Sequence, residues 1–210
     1  MKQETRRALI VIDVQNDYVG GNLPIAFPPV DVSLANIGRA MDAARAAAVP
    51  IVAVQNILPE GAPIMARGTH GAELHPVVTS RGWDHHVLKH LPSAFSGTDL
   101  AEWLRAQQID TIVIAGYMTH NCDLATAVDA LHAGFAVEFL SDATGSLPYA
   151  NRAGTASAED IHRVVTVVLQ ARFAAVMGTM EWIELLQTGA QPERDSIFAS
   201  NQRARFPDSR

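Results

Sequence analysis

Short apolar runs alternate along the chain with longer stretches in which apolar residues recur every three or four positions. Several of the short runs are continuous and rich in β-branched residues, as in ALIVID and DTIVIAG. Uninterrupted runs of this kind are typical of strands that are buried on both faces of a sheet. The pattern predicts six strands, at residues 8–13, 50–55, 86–89, 110–116, 135–140 and 173–177.

The intervening stretches have the periodicity of amphipathic helices. In the first of them Leu34, Ile37 and Met41 fall on one helical face. Regular alternation of strands and helices predicts an α/β protein, in which parallel strands form a doubly wound sheet with helices on both faces. The predicted helices span residues 31–48, 98–108, 122–133, 157–170 and 180–187.

Two segments depart from this alternation. Residues 56–84 are long, weakly periodic and interrupted by Pro and Gly, which is typical of a functional cover or a partner surface. Residues 191–210 are polar and irregular, and we predict a tail that is frayed or packs on another subunit. The length of 210 residues suits one domain, which we place at residues 1–190.

Composition narrows the function classes. The formal charge is −6 and no run of Lys and Arg forms a basic face, so we predict no nucleic-acid partner. No apolar stretch reaches the roughly 18–20 residues of a membrane span, and the N-terminus lacks the pattern of a signal peptide. The single cysteine excludes an internal disulfide framework. We therefore expect a cytoplasmic protein without a membrane partner.

Three reactive side chains fall at or just after predicted strand ends. Asp13 ends the first strand, Lys89 ends the third, and Cys122 begins the helix after the fourth. Each has a purely structural alternative: a carboxylate that caps a turn, an edge lysine, and a small buried thiol. Because the carboxyl ends of parallel strands share one edge, the three together predict a base, a cation and a nucleophile in one crevice. The helix N-terminus is expected to lower the pKa of the Cys122 thiol.

Three segments also resemble the isochorismatase-like cysteine hydrolases. They are ALIVIDVQNDYVGG, LKHLPSAFSGTDL and IVIAGYMTHNCDLATAVDALHAGFAVEFLSDA, in the order of the family. The resemblance runs from about residue 8 to 177. It implies a six-stranded parallel sheet with strand order 3-2-1-4-5-6. It also implies that Asp13 is the general acid and base, Lys89 the central cation and Cys122 the nucleophile.

The resemblance further implies the surroundings of the nucleophile. It places a non-proline cis peptide at Tyr117–Met118, which would turn the Met118 amide, together with the Cys122 amide, toward a developing oxyanion. Tyr18 matches the aromatic position that lines the family's substrate pocket, and we expect Tyr117 to line it as well. Asp123 replaces the usual small apolar residue after the cysteine, and a carboxylate there would raise the pKa of the thiol.

Five histidines lie between residues 70 and 90, and imidazole is a common metal ligand. The nicotinamidase branch of the family carries an Asp-x-His motif after its second strand, whereas this chain has Gln55-Asn56-Ile57 there. We therefore predict no metal, no cofactor and no membership of the metal-containing nicotinamidase branch.

The resulting hypothesis is a cysteine-dependent hydrolase that cleaves a small amide, carbamoyl or related C–N bond through a thioester. Its only ligand partner would be this small-molecule substrate. One alternative is vinyl-ether hydrolysis of the isochorismatase type, which needs no thiol. A second is a non-catalytic binding module, although none of the three reactive residues is missing. The resemblance also implies a homo-oligomer, either a dimer or a tetramer.

Overall fold

The fold was analysed in a computed structural model, which describes residues 5–207. Continuous apolar runs form the central strands, as their sequence pattern predicts. The strands within this range are β1 (Arg7–Ile12), β2 (Ile51–Asn56), β3 (His85–Lys89), β4 (Thr111–Tyr117), β5 (Ala136–Gly145), β6 (Tyr149–Asn151), β7 (Gly154–Ala156) and β8 (Ala175–Met177).

Most of the helices connect consecutive strands of the sheet and cover its two faces. They are α1 (Val30–Ala46), α2 (Pro76–Thr79), α3 (Leu100–Ala106), α4 (Leu124–His132), α5 (Ala158–Val168), α6 (Thr179–Thr188) and α7 (Ile197–Arg205). Two π-helical turns, Thr119–Asp123 and Leu169–Phe173, lie directly before α4 and after α5. No helix within residues 5–207 combines the length and hydropathy needed to cross a membrane.

Six strands form one sheet in the order β3-β2-β1-β4-β5-β8, and every neighbouring pair is parallel. The predicted doubly wound sheet is therefore confirmed. Its sixth strand is the eighth in the chain because β6 and β7 form a separate antiparallel hairpin. No apolar pattern predicts this hairpin, because its strands have three residues each and mostly exposed side chains.

The sheet divides the apolar core into two layers. Alternate residues of β1 point to opposite layers, with Leu9 and Val11 in one and Ala8, Ile10 and Ile12 in the other. Helices α1 and α6 pack on the first layer, and helices α3 and α4 pack on the second. This double burial explains why the central strands are continuously apolar.

Gly116 lies where β4 approaches β1 most closely. Its φ is +119°, and a Cβ atom there would lie 2.0 Å from the carbonyl oxygen of Ile12. We expect Gly116→Ala to lower the free energy of unfolding by about 3 kcal/mol or more, because backbone strain and overpacking add. Urea denaturation measures the change. Gly20→Ala is the matched control, since a Cβ at Gly20 meets no atom within 4 Å; equal losses in both variants would contradict the prediction.

The two irregular segments contain more structure than predicted. Residues 56–84 contain a short 3-10 turn and α2. Hydrogen bonds also join this segment to the loop after β1: Met65 N–H donates to Asp17 Oδ2 at 2.5 Å, and Gln15 Nε2 donates to the Ala72 carbonyl at 2.7 Å. The expectation of an irregular tail is wrong for residues 197–205, because Ser196 caps a helix there. The domain boundary at residue 190 remains a prediction.

Candidate active site

The three candidate catalytic residues lie at the carboxyl edge of the sheet. Asp13 follows β1 directly, Lys89 is the last residue of β3, and Cys122 lies in the π-helical turn between β4 and α4. Parallel pairing of β3, β2, β1 and β4 aligns these strand ends, so residues that are far apart in sequence become neighbours.

Lys89 is the centre of the cluster. Its Nζ lies 2.7 Å from Asp13 Oδ2 and 3.3 Å from Cys122 Sγ, and it donates to the Leu91 carbonyl at 3.2 Å. All three candidate side chains are buried: the residues are at most 3% exposed. A lysine is almost never fully buried without a partner, and here the partners are the carboxylate and the sulfur.

The backbone at Asp13 sets the direction of its side chain. Its φ is +50°, a region that Asp and Asn enter more readily than other residues with a side chain. The Asp13 N–H still donates to the Val54 carbonyl at 2.9 Å, and its own carbonyl accepts from Gln15 N–H at 2.8 Å. The chain therefore leaves the sheet at this residue in a tight, hydrogen-bonded turn.

Burial and charge determine the resting protonation states. Burial raises the pKa of the Cys122 thiol and the negative Asp13 raises it further, while Lys89 only partly opposes them. The expectation that the helix N-terminus lowers this pKa is therefore wrong, because loss of hydration outweighs the dipole. Burial lowers the pKa of Lys89, but Asp13 and Cys122 outweigh it and the net direction is upward. Burial also raises the pKa of Asp13, and the contact with Lys89 opposes this rise only in part. These directions favour a protonated Lys89 and a neutral thiol at rest.

The aromatic residues predicted to line the pocket lie beside this cluster. The Tyr117–Met118 peptide is cis, as the resemblance implies. The Tyr117 side chain is fully buried, its hydroxyl is 2.7 Å from Ser33 Oγ, and its ring centroid is 5.6 Å from that of Tyr18. These contacts favour a packing role for the Tyr117 side chain over the predicted substrate contact. Tyr18 is more directly coupled to the catalytic residues. Burial raises its pKa, and the negative charges of Asp13 and Cys122 raise it further.

A hydrogen-bonded chain that the sequence analysis did not predict lies on the other side of the nucleophile. His120 Nδ1 is 3.0 Å from Ser146 Oγ, and its Nε2 is 2.8 Å from the hydroxyl of Tyr149 on β6. Burial raises the pKa of Tyr149, and Cys122 raises it further. No local sequence pattern identifies Tyr149, because its place depends on the unpredicted hairpin.

A second histidine supports the turn that carries the nucleophile. His162 Nδ1 is 2.9 Å from Thr119 Oγ1, and its ring packs edge-on against Phe27 at 5.5 Å. Burial lowers the pKa of His162 from 6.5 to about 4. The unfolded chain therefore binds this proton at higher pH than the folded chain does, and stability falls as the pH drops from about 6.5 toward 4.

We expect acidification from pH 7 to pH 5 to remove about 2 kcal/mol of stability through His162. His162→Gln, which cannot be protonated, should show a correspondingly flatter pH dependence. Urea denaturation at a series of pH values measures both slopes. His132→Gln replaces an exposed histidine and is the matched control, which should keep the wild-type slope. An unchanged slope in the His162 variant would contradict the assignment.

The histidines between residues 70 and 90 have separate partners: His70 lies 3.0 Å from Glu73, and His85 lies 3.1 Å from Asp99. His85 stacks on Trp103 with ring centroids 4.8 Å apart, and His86 lies 5.3 Å from Trp83. Residues 5–207 contain no group of three or more His, Cys, Asp or Glu side chains that could hold a metal ion.

Comparison with known proteins gives consistent matches over most of the chain. The isochorismatase domain matches residues 7–181. The chain is 34% identical over 172 residues to the secreted isochorismatase effector Isc1 of Verticillium dahliae, covering 82% of this chain and 85% of that protein. It is 30% identical over 203 residues to the ureidoacrylate amidohydrolase RutB of Methylobacterium radiotolerans, covering 80% and 74%.

A solved structure extends the similarity to nearly every residue. The crystal structure of a protein from Burkholderia xenovorans LB400, assigned as an isochorismatase, is 64% identical with a TM-score of 0.96. The alignment covers 99% of this chain and 100% of that one. Together with the domain match and the six-stranded sheet, this similarity confirms the resemblance of the sequence motifs. The chain belongs to the isochorismatase family of hydrolases.

Proposed function

We propose that the chain is a cysteine-dependent amidohydrolase that cleaves a small amide, carbamoyl or related C–N bond. The observation that supports this most strongly is the contact of Lys89 Nζ with both Cys122 Sγ, at 3.3 Å, and Asp13 Oδ2, at 2.7 Å. A buried thiol next to a cation and a carboxylate base is an arrangement suited to an activated nucleophile. Among the relatives, RutB is an amidohydrolase, which is consistent with this chemistry.

The first half of the reaction forms the thioester. Asp13 accepts the Cys122 proton as the sulfur attacks the substrate carbonyl, so no free thiolate has to persist in the buried site. Lys89 stays protonated and balances the negative charge during this transfer. The tetrahedral oxyanion is stabilised by the backbone amides of Met118 and Cys122, each of which would contribute roughly 10²–10³ in rate. Asp13 then returns the proton to the leaving nitrogen, and ammonia or an amine departs.

The second half returns the free enzyme. Asp13, again a carboxylate, removes a proton from water as the water oxygen attacks the thioester carbonyl. The C–S bond breaks, Asp13 returns that proton to the sulfur, and the carboxylic acid product leaves. One base therefore serves both halves, which is consistent with a site that contains a single lysine–aspartate pair next to the sulfur.

The deep burial of the site favours a small substrate. Asp13, Lys89 and Cys122 are almost inaccessible to solvent, and Tyr18 beside them is only 2% exposed. Tyr18 and the Tyr149 hydroxyl held by His120 are the aromatic groups that we expect to contact the substrate. The reaction needs a free thiol, which is consistent with a reducing compartment, and we propose a cytoplasmic location.

We also propose that the protein is a homo-oligomer, either a dimer or a tetramer. Val164, Val167 and Val168 are 48–58% exposed along one side of α5, and Ile197 and Phe198 are 63% and 74% exposed on α7. Apolar side chains that cluster on a surface are typical of protein interfaces. A light-scattering mass equal to two or four chains would support the proposal, and a mass of one chain would contradict it.

An ammonia-release screen tests the proposed reaction. Wild-type protein is assayed with small amides, ureides and carbamates, and Cys122→Ala serves as the blank for every substrate. We expect at least one of these classes to release ammonia above the blank. Cleavage of isochorismate at equal rates by wild type and Cys122→Ala, without ammonia release from any class, would instead support vinyl-ether hydrolysis.

A further inference from the structure

The site contains a second buried carboxyl group, which the proposed mechanism does not use. Asp123 directly follows the nucleophile, and its side chain has no exposure to solvent. Neither of its carboxyl oxygens has a hydrogen-bond partner among residues 5–207, and no cation in that range lies within ion-pair distance of it. Asp13, by contrast, is paired with Lys89 at 2.7 Å. Buried polar groups normally have a partner, so an unpaired carboxyl group beside a nucleophile requires an explanation.

The charges around Asp123 determine its protonation state. Burial raises its pKa well above the usual range and the negative Asp13 raises it further, while Lys89 opposes this only in part. One cation faces two carboxyl groups here, and that cation is already in contact with Asp13. A fully buried carboxyl group without a partner favours its neutral form, in which it carries an O–H donor.

The position of Asp123 connects it to the reacting atoms. Its backbone N–H donates to the Met118 carbonyl at 3.2 Å, which fixes it to the turn that carries Cys122. If Asp123 were ionised, its negative charge would raise the pKa values of Cys122, Tyr18 and Tyr117. The Asp123 carboxyl group is thus fixed to the turn that carries the nucleophile, and no group among residues 5–207 forms a hydrogen bond with it.

We infer that Asp123 is a specificity-determining residue that donates a hydrogen bond from its carboxyl group to an acceptor oxygen of the substrate. This inference rests on the proposed function of the site. The acceptor is a neutral carbonyl oxygen in addition to that of the scissile bond, as in acylureas and 3-oxo amides. A site that contains an unpaired buried donor discriminates against analogues that lack the acceptor, because binding them leaves the donor unsatisfied.

Two probes test this preference because they differ by a single carbonyl group. Acetoacetamide has a ketone oxygen beside its amide, whereas butyramide has a methylene at that position. Their binding is measured by calorimetry on the full-length Cys122→Ala chain, which cannot form a thioester. We expect acetoacetamide to bind at least about 10-fold more tightly than butyramide.

Two further substitutions in the same background identify the group responsible. Asp123→Val removes the donor but leaves an apolar side chain suited to a buried position, and it should bring the affinity ratio close to one. Asp123→Asn keeps a neutral donor of the same shape and should retain most of the preference. A preference that persists in Asp123→Val, or no preference for acetoacetamide in Cys122→Ala itself, would overturn the inference.

The design separates this inference from the proposed reaction. Binding to Cys122→Ala does not depend on covalent chemistry, so it reports on Asp123 even if another group cleaves the substrate. Activity that persists in the Cys122→Ala chain would refute the proposed function alone. Thermal unfolding of each variant verifies that it is folded, and Asp123→Ala, which also lacks the donor, replaces the valine variant if that variant does not fold.

Discussion

Replacing Cys122 by alanine is expected to reduce ammonia release by at least about 10⁴-fold, because the nucleophile of the covalent pathway is lost. Asp13 and Lys89 remain in the variant, but neither can replace the sulfur. The measurement is steady-state ammonia release on the best substrate from the screen. The substitution is small and Cys122 is buried, so thermal unfolding should change far less than activity does.

Cys122→Ser is the matched variant for this prediction. It keeps a hydroxyl near Lys89 Nζ, so the polar contacts of the site are largely retained. Serine is nevertheless a poor nucleophile without the special activation found in serine hydrolases, and we expect its activity to stay close to that of the alanine variant. Alanine-variant turnover within a few-fold of wild type would refute covalent catalysis by this residue.

Replacing Lys89 by methionine is expected to lower the free energy of unfolding by about 3–5 kcal/mol, since it leaves the Asp13 carboxylate buried and unpaired. Both side chains of the pair are completely buried and lie 2.7 Å apart. Methionine has a similar length and no charge, so the cost comes mainly from the unpaired carboxylate rather than from a cavity. Urea denaturation at pH 7 measures the loss, and ammonia release should fall to background.

The double variant Asp13→Asn/Lys89→Met separates charge from packing. It removes both charges, and asparagine tolerates the φ of +50° found at residue 13. We expect it to recover a large part of the stability lost in Lys89→Met while remaining inactive, because it lacks the catalytic base. If the double variant is less stable than Lys89→Met, the loss does not arise from the unpaired Asp13 carboxylate.

The sheet could be predicted because burial on both faces requires continuous apolar strands. ALIVID and DTIVIAG are such runs, and they became β1 and β4 at the centre of the sheet. Parallel topology also places the carboxyl ends of the strands at a common edge. The sequence alone therefore predicts that Asp13, Lys89 and Cys122 are neighbours. The structure brings these three side chains into contact.

The remaining features depend on tertiary contacts that leave no pattern in the sequence. The β6–β7 hairpin has short exposed strands, and helix α7 has no buried side chain, so neither carries an amphipathic period. The thiol pKa also depends on burial: the helix N-terminus is visible in the sequence, but the loss of solvent and the proximity of Asp13 are not. The contact of the Tyr117 hydroxyl with Ser33 is likewise not visible in the sequence, and the substrate contact of Tyr117 remains a prediction.

The site combines one cation, two carboxyl groups and a thiol in a volume closed to solvent. Lys89 can neutralise only the charge of Asp13, and burial favours a proton on both Asp123 and the sulfur. Attack by the sulfur therefore has to be coupled to proton transfer to Asp13. Because the proton moves to Asp13 as the sulfur attacks, no additional negative charge is buried before the oxyanion forms beside the backbone amides.

Intact-protein mass spectrometry of wild-type protein, quenched in acid during a single turnover, tests the covalent pathway most directly. The account predicts a transient species whose added mass equals the acyl part of the substrate minus one hydrogen, located by digestion to the peptide that contains Cys122. The species should appear before the acid product and should be absent from Cys122→Ala. Complete conversion of substrate to product with Cys122 unmodified at every time point would contradict the account.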